Sequence, residues 1–296
     1  MKQIFLAAFG LAFAATMAPA HAADLCPAGG TIRFGVEPYD SNAILTPIYA
    51  KIGAIISAKV GCPVEIDIAT SYNAEIEAMR AGKLEIGQFG PLGYVLAHQV
   101  ADAQAVATVA DANGKPSTYT ASIVTWPGSG ITSLKQVAGH SFAYSDPAST
   151  SGHLFPAYAL ETVGIDQNKG IQPIFAGSHT ASFEALRNHK VDAGELNSQT
   201  IAAATVHHEY DPKDYVVLWQ SKPIPLDPIS VYGKLNPALK TKLTLALSHL
   251  DLSSLTPDEQ KVIGTKSAKL VPQNNAAYNQ IRALVHELKI DLTKLS

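Results

Sequence analysis

The sequence is short of cysteine, of tryptophan and of surplus positive charge. Two cysteines in 296 residues exclude a disulfide-dense scaffold and a multi-cysteine metal fold. With 22 Lys and Arg against 25 Asp and Glu, the formal net charge is −3, so the basic footprint of a nucleic-acid binder is missing. That balance also means an anionic ligand is not drawn in by net charge; local dipoles have to hold it. No segment is low in complexity, and no linker is long enough to separate independent modules. Beyond the N-terminus, no apolar run reaches the roughly 20 residues of a bilayer span.

The N-terminus itself has a recognisable layout. Lys2 supplies a positive charge, residues 4–17 are uncharged and largely apolar, and Ala20-His21-Ala22 is a small-x-small signal. This predicts a secretory signal peptide over 1–22, cleaved after Ala22, and an exported mature chain in the periplasm. Leu25 stands where a lipoprotein signal usually has a small residue, which argues against a lipid anchor on Cys26. The remaining 274 residues suffice for two modest domains or one large one. In an oxidising compartment Cys26 and Cys62 are expected to pair, two free buried thiols being the alternative. Closing a loop of that length contributes about 3–4 kcal/mol in the chain-entropy account.

After the leader, β-branched runs alternate with helical patterns. Strands are predicted over 31–36, 64–69 and 84–89, with helices over 72–81 and 91–99. Ile44, Leu45, Ile48, Tyr49, Ile52, Ile55 and Ile56 form one apolar stripe at helical spacing. Repeated βα units imply an α/β fold with a parallel sheet covered on both faces. The pattern also repeats on a larger scale. Residues 71–87 (SYNAEIEAMRAGKLEIG) and 178–194 (SHTASFEALRNHKVDAG) share seven identities in 17 positions without a gap. Each copy is a helix running into a strand. Two similar lobes are therefore expected, one from 23–118 plus 228–296 and the other from 119–227, facing each other across a ligand cleft. Ligands of open α/β sheets bind beyond the carboxyl ends of the strands, and hinged lobes close over them.

The repeat selects the cleft residues. Tyr72 and His179 are equivalent, each at a helix start after a strand; Gly90 and Asn197 are equivalent after the repeat's terminal strand. Helix starts carry unpaired N–H groups and the positive end of the dipole, which suits an anion. Tyr72 adds a hydroxyl donor and His179 a ring N–H; ordinary Ser71 and Ser178 N-caps are the competing account. Between a predicted strand over 140–144 and a helix over 154–163 lies Ser145-Asp146-Pro147-Ala148-Ser149-Thr150-Ser151-Gly152. Ser149, Thr150 and Ser151 at a helix start form a nest for a tetrahedral oxyanion, with no lysine or arginine in the loop.

These stretches carry a family resemblance. Asp146-Pro147-Ala148-Ser149-Thr150-Ser151-Gly152-His153, taken with Phe89-Gly90-Pro91-Leu92-Gly93-Tyr94, Gly177-Ser178-His179 and Ile224-Pro225-Leu226-Asp227-Pro228, resembles the phosphate, phosphite and phosphonate-binding components of ABC transporters. The resemblance implies a two-lobed periplasmic binding protein fold of type II with Tyr72, Tyr119, Ser149, Thr150, Ser151 and His179 on the phosphonate oxygens. Asp227 also matches a ligand-facing position; it would pair with an ammonium or accept a hydrogen bond from P–OH. Where some aminoalkylphosphonate binders carry a glutamate, this chain offers Gln199, with Glu195 as a substitute if it points into the cleft. The implied ligand is a phosphonate, such as 2-aminoethylphosphonate or methylphosphonate, or phosphite. The implied partners are the membrane permease subunits, and the expected state is a monomer without cofactor or metal.

Other functions are poorly supported. Gly128-Ser129-Gly130 lacks the spacing of a nucleophile elbow. The adjacent His207 and His208 of a predicted helix point in different directions and make a poor metal site. An oxyanion sensor that signals to a membrane kinase is a stronger rival, since it would use the same lobes.

Overall fold

A computed structural model describes residues 25–291; the signal peptide expected over 1–22 lies outside the described residues. The chain opens with β1 (Ile32–Val36), α1 (Asn42–Val60), β2 (Val64–Ile68), α2 (Tyr72–Arg80), β3 (Ile86–Gln88), α3 (Pro91–Ala101) and β4 (Ala103–Val109). A short β5 (Thr118–Tyr119) leads into β6 (Ala121–Thr125) and β7 (Ser141–Tyr144). A π-helical turn (Thr150–Leu154) then runs straight into α4 (Phe155–Thr162). Next come β8 (Gln172–Phe175), α5 (His179–Arg187), β9 (Ala193–Asn197), α6 (Ser198–Val206) and β10 (Val216–Gln220). The chain returns through β11 (Ile224–Pro225) and β12 (Ile229–Tyr232), and ends with α7 (Pro237–Leu247), α8 (Pro257–Val262), β13 (Leu270–Pro272) and α9 (Asn279–Glu287).

Two sheets result. The first has the order β13-β4-β12-β3-β1-β2 and the second β10-β6-β9-β7-β8. Strands β2, β1 and β3 are parallel, as are β8, β7 and β9, while β12 and β6 insert antiparallel beside β3 and β9. Each sheet is therefore mixed, which corrects the expectation of a wholly parallel one. The reason is the crossing between the sheets. Strands β6 and β12 start where the chain enters from the other lobe, at the edge where the parallel strands end, so they run the opposite way. The crossings pair with each other, Tyr119 opposite Ile224 and Thr118 opposite Pro225.

Burial follows the strand period. In the second sheet Ile123 and Phe142 face a core with Val137, Leu160 and Ile165, while their neighbours Val124 and Ala143 face Phe183, Leu186 and Ala204. The larger core of the first sheet includes Phe34, Ile86, Leu96, Val231, Leu243 and Ile281. Helix α1 is long and apolar enough to match a membrane span by composition. It is instead a core helix: Leu45, Ile48, Tyr49, Ile52 and Ile56 are buried in this cluster. The 107-residue repeat is exact in the structure, α2 and α5 having nine residues each. Even the left-handed turn residue recurs, Gly82 in one copy and His189 in the other.

Cys26 and Cys62 form a disulfide across 36 positions of sequence. Ile32 of β1 lies opposite Val64 of β2, so both cysteines sit at the amino ends of parallel neighbours. Replacing both by serine is expected to lower the unfolding free energy by about 3–4 kcal/mol, seen as a reduced denaturant midpoint with an unchanged far-UV spectrum. A midpoint equal to that of the native chain would remove the bridge from the account of stability.

Candidate functional site

The carboxyl ends of the parallel strands in the two sheets face each other, and helices start there, α2, α3, α5 and α6 among them. Ser71 caps α2 by accepting from the Ala74 amide, and Ser178 caps α5 by accepting from Ala181, both at 3.1 Å and with matching extended backbones. The N-cap serines and the cleft-facing Tyr72 and His179 thus coexist: a serine caps the helix and the next residue turns to the cleft. The other two starts are already filled from within the protein. At α3 the Gly90 amide donates to Glu37 Oε2 at 2.7 Å, and the Leu92 amide to Thr150 Oγ1 of the opposite lobe at 2.7 Å. At α6 the Asn197 side-chain oxygen accepts from the Gln199 and Thr200 amides. Gly90 and Asn197 therefore line the pocket without offering an open helix start.

The serine–threonine nest is built on the π-helical turn. Ser149 caps it, its hydroxyl accepting from Gly152 N at 3.1 Å and its carbonyl from Leu154 N. Turns of this kind are rare and frequent at functional sites. Gly152 is required, because a Cβ there would collide with Ser145 Oγ. Each hydroxyl oxygen is held by a protein donor: Ser149 by Gly152 N, Thr150 by Leu92 N, and Ser151 by Asn197 Nδ2 at 3.2 Å. An oxygen that already accepts a hydrogen bond is polarised to donate its own O–H, so the cradle presents donors rather than acceptors.

His179 is oriented from behind. Its Nδ1 donates to Glu195 Oε1 at 2.8 Å, and its Nε2 lies 3.3 Å from Ser149 Oγ. Burial lowers the imidazole pKa, but the Glu195 carboxylate outweighs it, and the net shift is upward. Glu195 is fully buried behind His179 and does not line the pocket. The Tyr72 hydroxyl, buried and lining the pocket, has no acceptor from the protein. Burial keeps the Tyr72 and Tyr119 hydroxyls protonated, well above the ordinary tyrosine range.

One pocket gathers Tyr72, Gly90, Tyr119, Ser149, Thr150, Ser151, His179, Asn197, Gln199 and Asp227. Glu37, Tyr39 and Asp40, which the sequence did not single out, line it too. They follow β1, in the place that Ser145 and Asp146 occupy after β7, so the strand-end rule applied to β1 would have found them. Among the lining residues His179 is the sole base, with no lysine or arginine. Asp40 accepts from the Thr180 hydroxyl across the cleft, and Asp227 Oδ2 accepts from Gln88 Nε2 at 2.8 Å. Burial pushes the Asp227 carboxyl up to about 7 against the pull of His179 and Gln88. Glu37 is held well above the usual carboxylate range, first by burial and then by Asp227 and Glu75, with the Gly90 N–H opposing. His207, His208 and Glu209 are exposed, and no group of metal-ligating side chains occurs among the described residues.

Residues 34–278 match the family described as "ABC transporter, phosphonate, periplasmic substrate-binding protein". The chain belongs to that family. Its members are periplasmic solute-binding components of transporters, not enzymes. Among the relatives of this phosphonate-binding chain is the phosphate-import protein PhnD of Mycolicibacterium smegmatis, 27% identical over 271 residues, covering 85% of this chain and 84% of the relative. The phosphonates-binding periplasmic protein of Escherichia coli K12 is 27% identical over 231 residues, covering 77% and 67%. The fold matches that of PhnD1 from Prochlorococcus marinus, solved with methylphosphonate, with a TM-score of 0.76 at 18% identity, over 88% of this chain and 98% of the other.

The raised Asp227 pKa has a definite sign in stability. A carboxyl titrating near 7 when folded and near its ordinary 3.8 when unfolded holds its proton longer in the folded state. Its stabilising proton is fully present below about 4 and lost as pH rises through 7. Asp227→Asn is therefore expected to make the ligand-free protein more stable than native at pH 8, by about 1–2 kcal/mol after allowance for solvent reaching the pocket, with the gain vanishing at pH 4. Paired denaturant curves at the two pH values check this; a gain that does not depend on pH would show that Asp227 titrates alike in the folded and unfolded chain.

Proposed function

We propose that this protein is the periplasmic receptor of an ABC importer for a small phosphorus oxyanion: a phosphonate such as 2-aminoethylphosphonate or methylphosphonate, or phosphite. The observation that carries the proposal is the convergence of the Tyr72 hydroxyl, the Thr150 and Ser151 hydroxyls and His179 on one pocket without a lysine or arginine. Directed neutral donors read the geometry and protonation of a tetrahedral anion, where a flexible ammonium supplies only charge. Tyr72, Tyr119, Ser149, Thr150, Ser151 and His179 surround the phosphoryl oxygens, and Asp227 accepts a hydrogen bond from the ligand's P–OH or pairs with its ammonium. Asn197 holds Ser151, Glu195 holds His179, and Gln199 borders the substituent.

The receptor works by capture and closure. The lobe of residues 119–227 presents the hydroxyl cradle, and the lobe of 23–118 with 228–296 closes over it. The Leu92–Thr150 and Asp40–Thr180 hydrogen bonds across the cleft support a shut form in which the ligand is shielded from water. That form is what the membrane permease recognises, and the monomer delivers its ligand without covalent chemistry. The leader of residues 1–22 brings the chain to the periplasm and is removed after Ala22.

Titration calorimetry with phosphite, methylphosphonate, 2-aminoethylphosphonate, phosphate and sulfate tests the assignment. At least one phosphonate or phosphite is expected to bind, and sulfate, which carries no proton near neutral pH, is expected not to. Removing one donor to a charged ligand costs about 1.5–3 kcal/mol, so Thr150→Val should weaken the bound ligand by roughly ten- to hundredfold. Strong sulfate binding without phosphonate or phosphite binding would refute both the ligand class and the role of Asp227.

A further inference from the structure

Three carboxyl groups, Glu37, Asp40 and Asp227, line the same pocket as the hydroxyl cradle. Glu37 and Asp40 come from the lobe opposite the π-helical turn, and Asp227 sits where the chain crosses back into that lobe, just before β12. The strand register explains why Glu37 and Asp227 meet. Val36 of β1 and Ile229 of β12 both lie beside Gln88 of β3. The chain just beyond β1 and just before β12 therefore leaves the sheet on either side of Phe89 and Gly90. Glu37 Oε2 is pinned by the Gly90 amide. A Cβ at Gly90 would come within 3.0 Å of Glu37 Oε1, so glycine lets the carboxyl lie against the start of α3. Glu37 is only 3% exposed.

This arrangement fixes the ligand's direction. The carboxyl of Glu37 fills the anion site at the start of α3, which leaves the phosphoryl group to the cradle of the opposite lobe and the open start of α2 at Tyr72. The Tyr72 hydroxyl, 2% exposed and without a protein acceptor, faces the same occupant. Whatever substituent phosphorus carries then points toward Glu37 and Asp227. A neutral substituent would leave two carboxyls and a phosphonate together in a poorly solvated space with His179 as the one base, and His179 is already paired with Glu195. Like charges so placed repel strongly at low dielectric. A primary ammonium removes the conflict, since it offers three donors to Glu37, Asp227 and one further acceptor.

We propose that Glu37 is a specificity-determining ligand-binding residue that forms, with Asp227, a two-carboxyl seat for a primary ammonium on the substituent of the phosphonate. The proposal rests on the phosphoryl group occupying the hydroxyl cradle as described above. The upward shifts of both carboxyls in the ligand-free pocket, where Glu37 faces Asp227, Glu75 and Asp146, agree with it. A cation placed between the two carboxyls would relieve both shifts, with release of a proton.

The test compares 2-aminoethylphosphonate with propylphosphonate, which has the same shape without the charge, by calorimetry on the native protein and on Glu37→Gln. The native protein is expected to prefer the amine by at least about a hundredfold. Glu37→Gln should lower affinity for the amine by roughly ten- to hundredfold and leave propylphosphonate unchanged or tighter. Repeating the native titration in buffers of different ionisation enthalpy should show net proton release with the amine. Equal affinities for the two ligands, or proton uptake with the amine, would overturn the role of Glu37 while leaving phosphonate binding intact. Failure of both phosphonates to bind, with sulfate binding, would instead sink the functional assignment and this inference with it. Should Glu37→Gln fail to fold, the ligand preference and proton release of the native chain still decide.

Discussion

The hydrogen bond from the Leu92 amide to Thr150 Oγ1 joins the two lobes at the floor of the pocket. It takes an amide that a helix start leaves unpaired and spends it on the opposite lobe. The same bond turns the threonine oxygen into an acceptor, so that its O–H is free to donate into the pocket. Closure and donor orientation are thus one event. The π-helical turn makes this geometry possible by advancing three hydroxyl residues toward the cleft while Gly152 packs against Ser145 and His179.

The distribution of charge over the pocket is uneven. One wall is made of neutral donors and a histidine backed by Glu195; the other is made of carboxyls. Ion pairs do not balance the second wall. Burial lifts the pKa values of both Glu37 and Asp227 instead, and for Glu37 the neighbouring Asp227 and Glu75 add to it. A buried acid that keeps its proton avoids most of the desolvation cost and remains available to a partner of opposite charge. Glu75, a further buried carboxyl beneath this wall with its own pKa well above normal, extends the acidic layer into the core of the first sheet.

Much of the architecture was legible in the sequence because it is written twice. The match of residues 71–87 to 178–194 located the starts of α2 and α5, and with them the positions of Tyr72 and His179. The serine–threonine run located the cradle because helix starts need side-chain acceptors and the run has three hydroxyls in succession. The antiparallel β6 and β12 were not legible, since strand direction depends on where the chain enters a sheet, and local periodicity does not record that. Glu37, Tyr39 and Asp40 escaped because the segment after β1 has no counterpart in the repeated stretch, and a single glutamate after a strand carries no local signal. The capping of α3 by Glu37 lies 53 positions away in sequence and is visible only in three dimensions.

The paired crossings β5 and β11 place Tyr119 on the pivot between the lobes, and the same residue lines the pocket. In a hinged body, atoms on the axis move least, while those at the end of the lever arm travel furthest. If the lobes hinge there as proposed, Tyr119 would keep its place relative to a docked molecule, whereas Leu92 and Thr150, from different lobes, would meet only in the shut form. In that proposed motion the tyrosine is suited to first contact, and the Leu92–Thr150 pair to latching. Selectivity read by the tyrosine and retention enforced by the latch would then be separable quantities in this protein.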